Sequence, residues 1–167
     1  NLRALAAGIS TAKIFEIAAR RGWHSLLSEA RAEIEQPGSV ALKPAVRYAC
    51  SVNGCEDDLL GRMLESTDPK LVEAAVESSN RTPLTWARSA LESADPARRR
   101  LGALALRGYP KYALEELPRM LADSDSSVRG AAADALVALG EAVAPVLAPI
   151  IADESALSRL RLRALRV

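Results

Sequence analysis

Aromatic side chains are scarce, with Phe, Trp and Tyr together making 4% of the 167 residues. Aromatic and β-branched residues favour strands, whereas the Ala and Leu that dominate here favour helices. An all-α chain follows, and a hydrophobic share of 49% gives it material for a core. Histidine occurs once, at His24. A zinc site needs about four Cys, His or carboxylate ligands, and a Ser–His–Asp arrangement needs an imidazole beside a nucleophile such as that of G-x-S-x-G, which is absent. Cysteine occurs twice, at Cys50 and Cys55. That is too few for a disulfide framework and points to a reduced, cytoplasmic compartment. The stretch Glu56, Asp57, Asp58 lacks the D-x-D-x-D-G calcium spacing. Neither a G-x-x-x-x-G-K-[ST] loop nor a G-x-G-x-x-G turn is present. These absences predict a non-enzyme with no cofactor and no metal.

Charge of one sign is lacking too. The formal net charge is +1, which argues against a general polyanion binder. It is uneven along the chain: seven basic against four acidic residues in 1–55, four against nine in 56–95, and eleven against eight in 96–167. No continuous apolar stretch approaches the roughly 18 residues of a membrane span, and no signal-peptide pattern is visible. The chain opens on Asn1 and closes on "RLRLRALRV" without a cap, as an excerpt of a longer protein would.

What is present is a ladder of turns. Asp68 follows "MLEST", Asp95 follows "ALESA", Asp125 follows "MLADS" and Ser155 follows "IIADE", at steps of 27, 30 and 30 residues. A fainter copy, "AEIEQPGSVALKPAVRYA", precedes the first. A period of this size marks an array of stacked units. Each unit has room for two helices of about 11 residues and two turns. Asp68, Asp95, Asp125 and Ser155 each precede a helical run and read as N-caps, whose oxygens accept from orphan N–H groups. Pro69 and Pro96 follow at the first helical position, where a missing N–H is harmless.

The spacing predicts helices over 2–20, 23–35, 39–52, 56–65, 69–79, 83–92, 96–107, 111–122, 126–139, 143–152 and 156–167: one leading helix and five pairs. Val128, Ala132, Ala135, Leu136 and Leu139 form one apolar stripe at 3–4 spacing. Leu101, Leu104, Ala105 and Gly108 form another, and Leu157, Leu160, Ala164 and Leu165 a third. Pro118 and Pro149 predict kinks in the first helices of their pairs.

The motif "LPRMLADSDSSVRGAAADALVALG" resembles a HEAT repeat of the short bacterial kind. Pro118, Asp125, Val128, Arg129, Ala132, Ala135, Leu136, Leu139 and Gly140 occupy its pattern. The Asp95 unit departs from it at Arg98, where Val is usual, and the Asp68 unit at Val72, where Arg is usual. The resemblance covers 56–167. It implies a single right-handed α-solenoid over 1–167, with a leading helix and a divergent repeat in 1–55. It also implies first helices on a convex face, second helices on a concave one, and a protein partner held along the concave groove. Some relatives act in bilin attachment and others bind damaged DNA, so a lyase-like chaperone and a nucleic-acid binder stand as alternatives.

The candidate partner-binding residues are arginines. Arg99, Arg129 and Arg159 recur at steps of 30, each early in a second helix. They could present guanidinium groups to carboxylates or phosphates. The other reading, which the resemblance favours, has each arginine bonding the carbonyls or the Asp of an adjacent turn. Arg159, Arg163 and Arg166 share one face of the last helix and form a second candidate surface. Trp23 and Trp86 could anchor a ligand or pack between units.

Overall fold

The computed structural model describes residues 9–36, 38–53, 57–79, 81–153 and 164–165. Among them there are ten α-helices and no strand. They fall into two compact units, Asn1–Arg81 and Thr82–Val167.

The first unit holds α1 (Thr11–Arg21), α2 (Leu27–Glu35), α3 (Leu42–Asn53), α4 (Asp57–Leu64) and α5 (Pro69–Ser78). Helices α2 and α3 pack as a pair, as do α4 and α5. Helix α3 also packs against α5 on one side and α1 on the other. The leading helix therefore takes a second-helix position, and α1, α3 and α5 make one layer. The second unit holds α6 (Leu84–Leu91), α7 (Pro96–Ala105), α8 (Pro110–Met120), α9 (Ser126–Val137) and α10 (Ala144–Ala152). The pairs α6–α7 and α8–α9 are joined through the second helices α7 and α9, and α10 packs on the first helix α8. Each unit thus shows the stacked helix pairs of an α-solenoid. The final expected helix, 156–167, lies outside the described residues except at Ala164, which is buried, and Leu165, which is 63% exposed and so leaves the apolar stripe assigned to it.

The caps explain the boundaries. Asp68 accepts from Lys70 N at 2.9 Å, Asp95 from Ala97 N at 2.9 Å, and Asp125 from Ser127 N at 2.8 Å. All three sit in extended backbone ahead of their helices, which is the conformation an N-cap needs. Ser10 does the same for α1, so the expected helix 2–20 is interrupted at residue 10 and its described part starts at Thr11, while residues 2–8 of that expectation lie outside the described residues. Gly22 ends α1 at φ 62°, a left-handed conformation in which its N–H reaches the carbonyls of Ala18 and Ala19. Helix α7 stops at Ala105, where a 3₁₀ turn Leu106–Gly108 begins, so Gly108 is not on the α7 stripe. Helices α8 and α10 continue past Pro118 and Pro149 and end at Met120 and Ala152, so each proline lies in the last turn of its helix.

Helix α2 starts at Leu27, four residues later than the spacing suggests. The cause is Tyr48 on α3. Its hydroxyl donates to the Trp23 carbonyl at 2.6 Å and accepts from Leu26 N at 3.1 Å, which fixes 23–26 as a turn. His24 lies exposed within that turn. The phenol is fully buried, with its ring 5.5 Å from that of Phe15. Tyr48→Phe would strip both partners of their bond. A loss of about 1–3 kcal/mol in urea unfolding is expected, and a loss under about 0.5 kcal/mol would show that the phenol does not hold the turn.

Candidate partner-binding surface

The cores of the units come from the expected stripes. Val128, Ala132, Ala135 and Leu136 are buried on α9, Leu101 and Ala105 on α7, and Leu59, Leu60, Met63 and Leu64 on α4. Small residues let the helices approach. A methyl group on Gly102 of α7 would stand 2.9 Å from the Ala87 carbonyl oxygen and 2.9 Å from Leu91 N, both backbone atoms of α6.

Burying one face of a second helix leaves the start of that helix beside its own turn and the turn of the next pair. Arg99 shows the result. Its Nε and Nη2 donate to the two carboxylate oxygens of Asp123 at 2.8 and 2.9 Å. Its Nη1 donates to the carbonyls of Ser93 and Ala94, both at 2.9 Å. One guanidinium therefore closes its own turn and clamps the following one in a two-pronged pair, a geometry that suits the planar fork of arginine. The side chains of Arg99 and Asp123 are only 14% and 6% exposed. The hydrogen bond from Arg99 holds the Asp123 carboxyl below the usual carboxylate range, against the opposing effect of its burial. The same bond pushes the Arg99 guanidinium further up.

Arg129 repeats half of this arrangement. Its Nη1 donates to the carbonyls of Asp123 and Ser124 at 2.9 and 2.8 Å. Of the two readings of the ladder, Arg99 takes the one in which the arginine bonds its turns with the whole guanidinium, and Arg129 takes it through Nη1. Arg159, Arg163 and Arg166 lie outside the described residues.

The first helices of the second unit carry another set of ties. Arg88 on α6 meets Glu116 on α8 at 3.4 Å, and Arg119 on α8 meets Glu92, just beyond α6, at 2.6 Å. Arg119 also meets Glu116 at 2.8 Å. These residues, with Leu84, Thr85 and Ser89, line a groove of about 470 Å³ in which both arginines and both glutamates answer one another. Trp86 is half-buried under the Arg98 guanidinium, 5.5 Å from its ring centre, so it packs against α7. Trp23 is 41% exposed with Arg21 over its ring at 5.8 Å.

The second-helix layer of the first unit is different. Lys13, Glu16 and Arg20 follow one another at 3–4 spacing on α1, and Lys43 and Arg47 do so on α3. A groove of about 150 Å³ lies between the two helices, lined by Phe15, Glu16, Ala19, Lys43, Pro44 and Arg47. Lys13 bonds Glu16 at 2.9 Å, and Lys43 pairs with Glu77 of α5. The hydrogen bond and charge of Lys13 lower the Glu16 carboxyl from its usual value, with smaller contributions from Arg20 and Arg47. Arg20 and Arg47 are exposed and make no ion pair among the described residues. Reading the sequence for a 30-residue period missed them, because they belong to the divergent part of the chain. The one available signal was the i, i+4 pair Lys43 and Arg47.

No cluster of metal-ligating side chains occurs among the described residues. Glu56 and the side chain of Asp57 lie outside them, while Asp58 pairs with Arg62 at 3.5 Å. Cys50 is disulfide-bonded, so the cysteine count lends no support to a reducing compartment. No single helix among the described residues is long and apolar enough to cross a membrane.

Helix pairs stacked through their second helices, with Arg99 clamping two successive turns in the second unit, define an α-solenoid repeat protein. The family model for HEAT repeats matches residues 84–167, and the chain belongs to the HEAT-repeat family. Comparison with curated proteins gives no match. HEAT repeats are in general scaffolds for protein interactions and typically not catalysts.

Proposed function

We propose that this chain is a non-catalytic scaffold that holds a segment of a partner protein on its second-helix layer. The supporting observation is the direction of the ladder arginines. Arg99 and Arg129 are engaged by turns, which leaves the repeat as a device for extending a surface rather than a site for chemistry. The same observation weighs against nucleic-acid binding through that ladder, because the turns already hold every nitrogen of the Arg99 guanidinium and Nη1 of Arg129, donors that phosphates would need. A bilin-handling role has no supporting feature among the described residues.

Four lysines make the layer testable. Lys13, Lys43 and Lys70 belong to second helices of the first unit, while Lys111 belongs to the first helix α8. Amine cross-linking of the purified complex with a captured partner should give links to Lys13, Lys43 and Lys70. Links confined to Lys111 would refute the proposed face. Single-stranded and duplex oligonucleotides should give no retarded complex at about 50 mM salt, where phosphate contacts persist. Tight, salt-sensitive retardation would favour the nucleic-acid reading instead.

A further inference from the structure

We infer that the groove between α1 and α3 is the part of this surface that selects the partner, and that it takes an acidic peptide segment carrying an apolar side chain. The inference rests on the scaffold reading above and adds the chemistry of the ligand. Three observations carry it. Positive charge is in excess on these two helices: Lys43 and Arg47 of α3 line the groove, Lys13 and Arg20 stand one turn to either side of its Glu16 on α1, and the acids paired with the two lysines are Glu16 and, from α5, Glu77. Each of those acids is matched by a lysine, at 2.9 Å for Lys13–Glu16 and directly for Lys43–Glu77. The arginines remain, one on each helix: Arg47 lines the groove, and Arg20 stands one turn along α1 from Glu16, which lines it too. Between them the lining supplies apolar surface from Ala19 and Pro44, with Phe15 buried beneath.

Two guanidinium groups that make no ion pair among the described residues, one lining an apolar slot and one a turn away from it, match two carboxylates flanking an aliphatic side chain. The carboxylates would complete two-pronged pairs, and the aliphatic group would replace water over Ala19 and Pro44. A nucleic acid fits less well. Two cations neutralise few phosphates, and no exposed aromatic ring lies in the groove for a base to stack upon. The other grooves lack this imbalance. In the groove between α6 and α8 the arginines and glutamates are mutually paired. In the groove of about 350 Å³ lined by α2 and α4, Arg62 meets Glu35 at 4.0 Å and Asp58 at 3.5 Å.

The test is fluorescence anisotropy on the whole chain with three labelled probes: a peptide alternating Glu and Leu, the same peptide with Lys for Glu, and a single-stranded oligonucleotide. The Glu–Leu peptide should bind, weaken with added salt and outcompete the other two. The double substitution Arg20→Glu with Arg47→Glu should weaken it by about tenfold or more. Both residues are exposed, so circular dichroism and thermal unfolding should stay as in the parent. Arg88→Glu, on the first-helix groove, should leave affinity unchanged. Equal binding by the parent and the double variant would overturn the inference, as would preference for the oligonucleotide. If the double variant keeps its cross-links from a captured partner to Lys13 and Lys43, this inference fails and the scaffold reading stands. If no such cross-links form even with the parent chain, the scaffold reading itself fails.

Discussion

Gly102→Leu should lower the unfolding temperature by roughly 6–12 °C, the shift that about 3 kcal/mol produces in a chain of this size. Ordinary overpacking is relieved when the crowded neighbour is the end of a flexible side chain. Here the first atom of any side chain would press on backbone, at 2.9 Å from both the Ala87 carbonyl and Leu91 N, with the Ala90 methyl at 3.1 Å. Relief requires α6 to move off α7, and Leu101, Ala103, Ala87, Ala90 and Leu91 are all buried where the two helices meet. Gly102→Ala should be milder, because the gain in helix propensity of about 1 kcal/mol offsets part of the clash. Gly130→Ala is the internal control. Its site on α9 is open, so the same chemical change should stabilise by up to about 1 kcal/mol. An unchanged melting temperature for Gly102→Leu would mean that α6 and α7 do not approach this closely.

Asp123→Ala should cost about 2 kcal/mol or more. It removes two charged hydrogen bonds from Arg99 and the 2.8 Å bond that the carboxylate accepts from Asp125 N. The carboxylate is 6% exposed, so water cannot readily take over. A pH dependence accompanies this. The folded-state pKa of Asp123 lies below its unfolded value, chiefly through the bond from Arg99. Its contribution is therefore fully present above the ordinary carboxylate pKa near about 4 and is lost as pH falls through the lowered folded value. Acid unfolding followed by circular dichroism should show a shallower pH dependence in Asp123→Asn than in the parent. Identical acid profiles would place the relevant carboxylates elsewhere. Asp125 adds to the trend in the same direction, its carboxyl lowered first by the hydrogen bond from the Ser127 hydroxyl.

What the sequence disclosed was local, and what it concealed was pairwise. Asp68, Asp95 and Asp125 were legible because an N-cap acts within three residues of itself. The helices after them were legible because apolar spacing and caps agree. The Arg99–Asp123 clamp was half legible. Arg99 belongs to the 30-residue series, but the residue thirty before Asp123 is Ser93 and the one thirty after is Asp153, so the acceptor recurs in one neighbouring unit only. The place of α1 in the second-helix layer was not legible at all, since it depends on packing against α3 across an intervening helix. The same dependence hides Arg20 and Arg47. Their surplus charge becomes visible only when it is known which helices lie side by side and which acids their lysines already hold. The start of α2 failed for a third reason, namely that Tyr48, twenty-odd residues away, claims the backbone groups a helix would have used.

The ties in the second unit share a property with consequences for how it folds. Arg99 reaches 24 residues along the chain to Asp123, Arg119 reaches 27 to Glu92, and Arg88 reaches 28 to Glu116. Loop-closure entropy grows only with the logarithm of loop length, so each bridge closes at nearly the same cost. Bridges of this reach demand no meeting of distant chain ends. Contact order stays low, and low contact order goes with rapid folding. A repeat added to such a chain would lengthen the protein without slowing the search for its native pairings, because every new unit needs only its neighbour.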